Sequence, residues 1–233
     1  MKYKNYIFDL YGTLIDIHTN ENDWNLWKKV TVLYKKYGAW YTPAGMRNLF
    51  HLLVKEAQKD SDEIVIEIVF EKMFTLQDIH VTDSIIEEIC HFFRENSTQY
   101  IRLYPWTIPM LENLKKEGKK IVLLSNAQRV FTALELEQLG IIKYFDHIFI
   151  SSDKRVKKPN PVFFQCMLTE CGFQAKDCLM VGNDEICDIR GAHGVGVDGF
   201  YIHTKISPDY TGEGMAEYKV LKPDEKRGMI ELP

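Results

Sequence analysis

No CxxC pair occurs in the 233 residues, and the five cysteines, Cys90, Cys166, Cys171, Cys178 and Cys187, are odd in number. Neither a disulfide framework nor a cysteine zinc site is expected, and the thiols read as reduced and mostly buried. No run approaches the ~20 apolar residues of a membrane-spanning helix, and the N-terminus leads into a strand-like segment without the apolar core of a secretory signal. A cytoplasmic protein without membrane association is the expectation. Positive charge is scarce too: 29 Lys and Arg stand against 33 Asp and Glu, a formal net charge of -4. Without a basic stripe to offset that balance, nucleic-acid binding is not expected. Lys154, Arg155, Lys157 and Lys158 form the one basic cluster, which reads either as a solvated loop or as a lysine set beside an anionic substrate. Repeats and low-complexity tracts are absent. A composition of 45% hydrophobic and 27% charged residues describes an ordinary globular chain, long enough for one sizeable core and a smaller one.

What is present begins with Tyr6-Ile7-Phe8-Asp9-Leu10-Tyr11-Gly12-Thr13-Leu14, a short apolar run ending in a carboxylate and followed by a Gly-Thr turn. An Asp at the carboxyl end of a buried parallel strand lies in the crevice where open α/β sheets bind ligands. Asp9 is thus placed to act as a nucleophile or a metal ligand, although taken alone such an Asp equally suits a turn or cap. Three further segments carry chemistry-bearing residues: Ile121-Val122-Leu123-Leu124-Ser125-Asn126, Lys157-Lys158-Pro159-Asn160-Pro161, and Val181-Gly182-Asn183-Asp184-Glu185-Ile186-Cys187-Asp188.

Between about Glu21 and Gln99 four helix-like segments are predicted, near Asn22 to Tyr37, Pro43 to Lys59, Glu63 to Leu76 and Asp83 to Gln99. Thr42-Pro43 is a cap followed by proline at the first helical position, and Ile85, Ile86, Ile89, Phe92 and Phe93 recur at helical spacing. From Thr107 onward helix and strand alternate. Helices are predicted near Ile108 to Glu117, Arg129 to Gln138, from Pro161 and from about Ile186. Strands are predicted at Lys120 to Leu124, His147 to Ile150, Cys178 to Val181 and Val197 to Tyr201, with a last short one around Tyr218 to Leu221. Such alternation implies an α/β core with parallel strands and helices on both faces. The expected division is a core of residues 1–16 and 104–233 with a helical insertion, 17–103, between its two parts.

The four motifs, in this order, resemble those of the haloacid dehalogenase superfamily of aspartate-nucleophile hydrolases, over roughly Lys2 to His203. The resemblance implies a three-layer Rossmann-like core with a mostly parallel sheet and a four-helix-type cap inserted after the first motif. It implies that Asp9 attacks the substrate to form a covalent aspartyl intermediate. Ser125 and Lys158 are the implied catalytic residues beside Asp9, the serine orienting the substrate and the lysine neutralising Asp9 and the substrate, and Tyr11 and Asn126 are the implied substrate-binding residues.

Two departures pull in opposite directions. Most phosphatases of the superfamily carry a second Asp two positions after the first, which protonates the leaving alcohol; here the position is Tyr11, as in 2-haloacid dehalogenases. General acid–base help is worth ~10²–10⁴-fold, so its loss hurts an ester more than a halide. The fourth motif is acidic, however, and its carboxylates at a strand end suit Mg²⁺, a hard cation that takes oxygen ligands. The implied ligands are Asp9, the backbone carbonyl of Tyr11, Asp184 and Asp188. Asp184 is chosen as the first acid over Asn183, which stands directly after Gly182 where many relatives place theirs. A Mg²⁺-dependent phosphatase acting on a small phosphomonoester is the expectation. The alternatives are a 2-haloacid dehalogenase acting on a halogenated acid and a weakly catalytic relative that binds a metabolite. A monomer or homodimer is expected.

Overall fold

The computed structural model describes every residue except Glu225 and Arg227, with Asp60 described through its backbone alone. Among the described residues there are eight strands: β1 (Asn5–Phe8), β2 (Ile15–Thr19), β3 (Thr98–Leu103), β4 (Lys120–Ser125), β5 (His147–Ile150), β6 (Cys178–Gly182), β7 (Asp198–Ile202) and β8 (Tyr218–Val220). Six of them form one sheet in the order β5-β4-β1-β6-β7-β8, every neighbouring pair parallel. Side chains of β1 alternate between two apolar layers, as the two-residue period of a strand requires. Tyr6 and Phe8 enter the layer that holds Met110, Leu111 and Leu114, while Ile7 enters the one that holds Phe163, Phe164 and Met167. Helices therefore cover both faces, as the alternation of elements predicts. Because β4 flanks β1 on one side and β6 on the other, the order reverses at β1, and Asp9 stands directly beyond its end.

The helices are α1 (Trp24–Lys36), α2 (Pro43–Asp60), α3 (Ile66–Thr75), α4 (Asp83–Ser97), α5 (Thr107–Lys116), α6 (Arg129–Gln138), α7 (Ser151–Lys154) and α8 (Pro161–Cys171). The first four share an apolar cluster of their own, built around Trp27, Phe50, Phe70, Phe74 and Phe93, to which Phe131 of α6 is added. Asp23 caps α1 by accepting from the Asn25 amide, and Thr42 caps α2 ahead of Pro43 by accepting from the Gly45 amide.

Two features depart from the sequence expectation. β2 and β3 pair antiparallel as a separate two-stranded ribbon, where the sequence reading placed no strands. The Asp16 carboxylate fastens it, accepting from Arg102 Nε at 2.9 Å and Nη2 at 2.7 Å. The expected boundaries, 16/17 and 103/104, thus fall within the first strand of this ribbon and at the end of the second. In the fourth motif, residues Glu185–Arg190 form a π-type turn, extended helically through Gly191–His193, rather than a regular helix. Wide turns of this kind recur at functional sites because they re-aim side chains.

Candidate active site

Asp9 is 8% exposed, and its amide still donates to the Val181 carbonyl of β6 at 3.0 Å, so the backbone beneath the carboxylate is held by the sheet. Beyond it the chain turns sharply. The amides of Leu14 and Ile15 both donate to the Leu10 carbonyl, at 2.8 and 3.0 Å, and Gly12 lies at φ +87°, a left-handed conformation that glycine adopts without steric penalty. A Cβ on Gly12 would fall 2.2 Å from Asn183 Nδ2, so the absence of a side chain is also what lets the first and fourth motifs touch. Trp106 Nε1 donates to the Thr13 carbonyl at 3.0 Å and the Thr107 hydroxyl to the Leu14 carbonyl at 2.7 Å, pinning the turn from α5.

The centre of the site is a buried ion-pair triad. Lys158 Nζ donates to Asp9 Oδ1 at 2.7 Å and to Asp188 Oδ1 at 2.6 Å, and Lys158 and Asp188 are each 1% exposed. Burial acts to lower the Lys158 pKa, but attraction from Asp188 and Asp9 outweighs it and keeps the ammonium charged beyond the ordinary lysine range. Burial, opposed by Lys158 and reinforced by Asp9, pushes the Asp188 carboxyl up to about 7. The Thr13 hydroxyl donates to the second Asp9 oxygen at 3.2 Å. Charge neutralisation and orientation of Asp9 thus come from a single lysine and one hydroxyl.

Other residues expected at the site take more specific places. Asn126 clamps the lysine loop: its Oδ1 accepts from the Lys158 amide at 2.8 Å and its Nδ2 donates to the Lys158 carbonyl at 2.9 Å, so this side chain positions Lys158. Asp184 caps the π-type turn, its Oδ1 accepting from the Ile186 and Cys187 amides at 2.8 Å each, while its own amide donates to Asp188 Oδ2 at 3.0 Å. Asn183 is the fourth-motif side chain turned to the first motif, with its Oδ1 3.4 Å from the Thr13 hydroxyl. Tyr11 is directed away from the role of acid: its hydroxyl donates to Glu135 Oε2 and lies 3.0 Å from Thr132 Oγ1, both on α6. Burial and the Glu135 charge push that phenol well above its ordinary value. Burial, with Asp184 adding to it, also pushes the Cys187 thiol up to about 12, so it is no thiolate nucleophile near neutrality.

Ser125 is fully buried, and its hydroxyl has no partner among the described residues. It ends β4, the strand beside β1. A buried hydroxyl left unpaired is costly, and one that a ligand oxygen satisfies on binding is not. Ser125→Ala is therefore expected to leave thermal stability unchanged or slightly raised while lowering kcat/KM by roughly 10²-fold, checked by calorimetry beside steady-state kinetics.

A pocket of about 170 Å³ is lined by Asp9, Tyr11, Asn126, Lys158, Asn183, Asp184, Cys187, Asp188, Ile206 and Pro208. The last two come from the loop-rich stretch to which the sequence assigns no chemistry. Thr204 brings that loop in by donating its hydroxyl to the Gly12 carbonyl at 2.8 Å. No residue pattern in that stretch signals this contact.

Among the described residues no group of three or more His, Cys, Asp or Glu side chains is gathered to hold a metal by itself. Mg²⁺ does not require one, since it is commonly bound through one or two carboxylates with water and substrate phosphate completing the shell. Asp9 and Asp188 supply two carboxylates against the single Lys158 charge, and Tyr11 and Asp184, which carry further oxygen atoms, line the same pocket. The residues fit.

A doubly flanked parallel sheet with an acid, a lysine and a carboxylate-bearing turn at its strand ends defines an open α/β enzyme site. The chain belongs to the haloacid dehalogenase-like hydrolase family, whose model matches residues 3–196. It is 31% identical over 135 residues to a phosphoglycolate phosphatase of Vibrio parahaemolyticus, a stretch that covers 54% of this chain and 59% of that protein. The chain spans about half the length of the first curated relatives it matches. Similarity to the pyrimidine 5'-nucleotidase PynA of Streptococcus pneumoniae runs further, 24% over 226 residues, covering 90% of this chain and 91% of that one. Among solved structures, the 2-haloacid dehalogenase of Pseudomonas syringae pv. tomato superposes with a TM-score of 0.66 at 18% identity, over 94% of each chain. At that identity the likeness concerns the fold. The family is one of hydrolases, and no helix among the described residues of this chain is long and apolar enough to cross a membrane.

Proposed function

We propose that the protein is a Mg²⁺-dependent phosphatase that hydrolyses a small phosphomonoester through Asp9. The observation that carries this reading is the Asp9–Lys158–Asp188 triad at the end of the central strand, with ion-pair distances of 2.7 and 2.6 Å. Phosphatase-named relatives support it, as does a relative named pyrimidine 5'-nucleotidase that is matched over 91% of its length. The pocket of about 170 Å³ supports a substrate of few atoms beyond the phosphoryl group.

In the first step an Asp9 carboxylate oxygen forms a bond to phosphorus as the bond from phosphorus to the ester oxygen breaks, leaving an aspartyl phosphate and an alkoxide that takes a proton from water. In the second, a water oxygen bonds to phosphorus, the bond to Asp9 breaks, and carboxylate and inorganic phosphate are released. Lys158 pairs with Asp9 and offsets charge on the phosphoryl oxygens, while Asn126 keeps the lysine in place. Ser125 donates to a phosphoryl oxygen. Asp9, the Tyr11 carbonyl, Asp184 Oδ2 and Asp188 would hold Mg²⁺, which supplies positive charge against the substrate dianion. Asp184 serves the cation in addition to its capping role.

Tyr11 supplies no proton to the leaving group, since its hydroxyl is engaged by Glu135 and its pKa is raised. Rates are therefore expected to follow leaving-group acidity. kcat/KM for p-nitrophenyl phosphate is expected to exceed that for an unactivated alkyl phosphate of similar size by roughly 10²-fold. Equal rates on the two would contradict the absence of a general acid.

Tyr11 also favours a second reading, hydrolysis of a 2-haloacid, because a halide leaves without a proton. Phosphate release from a panel of small phosphomonoesters, with Mg²⁺ and with chelator, tests the first reading; halide release from 2-chloropropionate tests the second. Chelator-sensitive phosphate release is the expected result, and halide release without phosphate release would overturn it.

A further inference from the structure

Arg94 lies on α4, within the helical insertion, and reaches across to α6. Its Nε donates to Glu135 Oε1 at 2.6 Å, and its guanidinium lies 5.6 Å from the Tyr11 ring centre and 5.2 Å from that of Phe131. The other Glu135 oxygen accepts from the Tyr11 hydroxyl. This chain of contacts joins three separate parts of the fold: the insertion, a core helix and the turn that carries Asp9.

Other ties link the insertion to the same region. Ile66 donates its amide to Gln128 Oε1 at 2.8 Å, Gln128 Nε2 donates to the Ile64 carbonyl at 3.0 Å, and His91 Nε2 lies 3.1 Å from the Val130 carbonyl. Each of these stops at the segment 128–130. The Arg94–Glu135 pair is the tie that continues through Tyr11 into the catalytic turn. Glu135 is 6% exposed, so removing the Arg94 guanidinium leaves a buried carboxylate without its cation.

We propose that Arg94 is a positioning residue for Asp9: by holding Glu135, it fixes the Tyr11 hydroxyl and with it the turn from Asp9 to Thr13, so that this turn is fully ordered when the insertion is seated on α6. Tyr11 then has a task that an Asp could not perform, since a carboxylate against Glu135 would add a second negative charge where the phenol donates a hydrogen bond. The term positioning rests on the Asp9 reading above; the mechanical coupling does not.

Hydrogen exchange tests the coupling without reference to any substrate. The amides of Gly12, Leu14 and Ile15 donate within the turn, and those of Val122 to Leu124 lie in β4 as an internal control. In Arg94→Met and in Tyr11→Phe the turn amides are expected to exchange about tenfold or more faster, with the β4 amides unchanged. The double variant is expected to exchange no faster than the more affected single one, because both act through one path. Arg94→Lys, which keeps the charge, is expected to fall between wild type and Arg94→Met. Turnover should then show a fall in kcat larger than the rise in KM, with Arg94→Lys partly restored. Turn amides unchanged in both single variants, or acceleration spread equally over the turn and β4, would overturn the proposal. Should Arg94→Met not fold, Arg94→Lys and Tyr11→Phe carry the same comparison. A chain that shows the exchange pattern but releases no phosphate from any substrate would overturn the phosphatase reading and leave the coupling standing.

Discussion

Asp9→Asn is expected to remove at least about 10³-fold of turnover while leaving a folded protein, because a nucleophile's loss is not offset by the groups around it. The fold should persist because Lys158 keeps Asp188 as its partner at 2.6 Å, and the backbone of residue 9 is still held by the Val181 carbonyl. Asparagine fills nearly the same volume, so the pocket should retain its shape. Circular dichroism and thermal unfolding beside steady-state rates check this. A variant that turns over at more than a tenth of the wild-type rate would show that another group does the chemistry.

Lys158→Met is expected to have the larger effect on stability. The substitution leaves Asp9 and Asp188, which both lie against the same ammonium, as two buried carboxylates with no cation between them. Breaking a buried pair in this way costs about 3–5 kcal/mol. The pH dependence follows from the raised folded-state value. Asp188 already titrates at about 7 with the lysine in place, above the ordinary carboxylate value of ~3.9, so the folded state binds a proton that the unfolded state releases. For an acid raised in this sense, stability is lost as pH rises from the unfolded value through the folded one. The gap between variant and wild type should narrow as the pH falls from about 8 to about 5, because Asp188 takes up a proton. Adding Asp188→Asn to Lys158→Met should recover part of the loss at high pH. Urea denaturation at both pH values measures it, and a gap independent of pH would refute the account of the triad.

Much of this arrangement was legible before the structure. The bounds of β5 and α6 coincide with the sequence reading because local punctuation is strong there; Gly140, at φ +68°, stops the chain just after α6. Asp9, Lys158 and Asp188 were named from three distant motifs, and the structure brings them together. The ribbon of β2 and β3 was not legible because no Gly or Pro separates α4 from β3, so the helical pattern runs unmarked into Thr98. Asn126 carries a donor and an acceptor that suit a ligand as well as a backbone; that it grips Lys158 is decided by the approach of the two loops. The Arg94–Glu135–Tyr11 chain was equally hidden, since a charged residue on a helix reads as solvated until the facing helix is known. Ile206 and Pro208 reach the pocket on a loop that Thr204 ties to the Gly12 carbonyl, a contact that leaves no trace in composition or spacing.

The central claim is that Asp9 carries the phosphoryl group between substrate and water. Acid quenching of a single turnover, followed by mass spectrometry of the peptide that contains Asp9, tests it directly. A phosphoryl adduct on Asp9, formed before phosphate is released and absent from Asp9→Asn, is the predicted result. Phosphate released while the chain stays unmodified at every time point, or an adduct on a different residue, would contradict it.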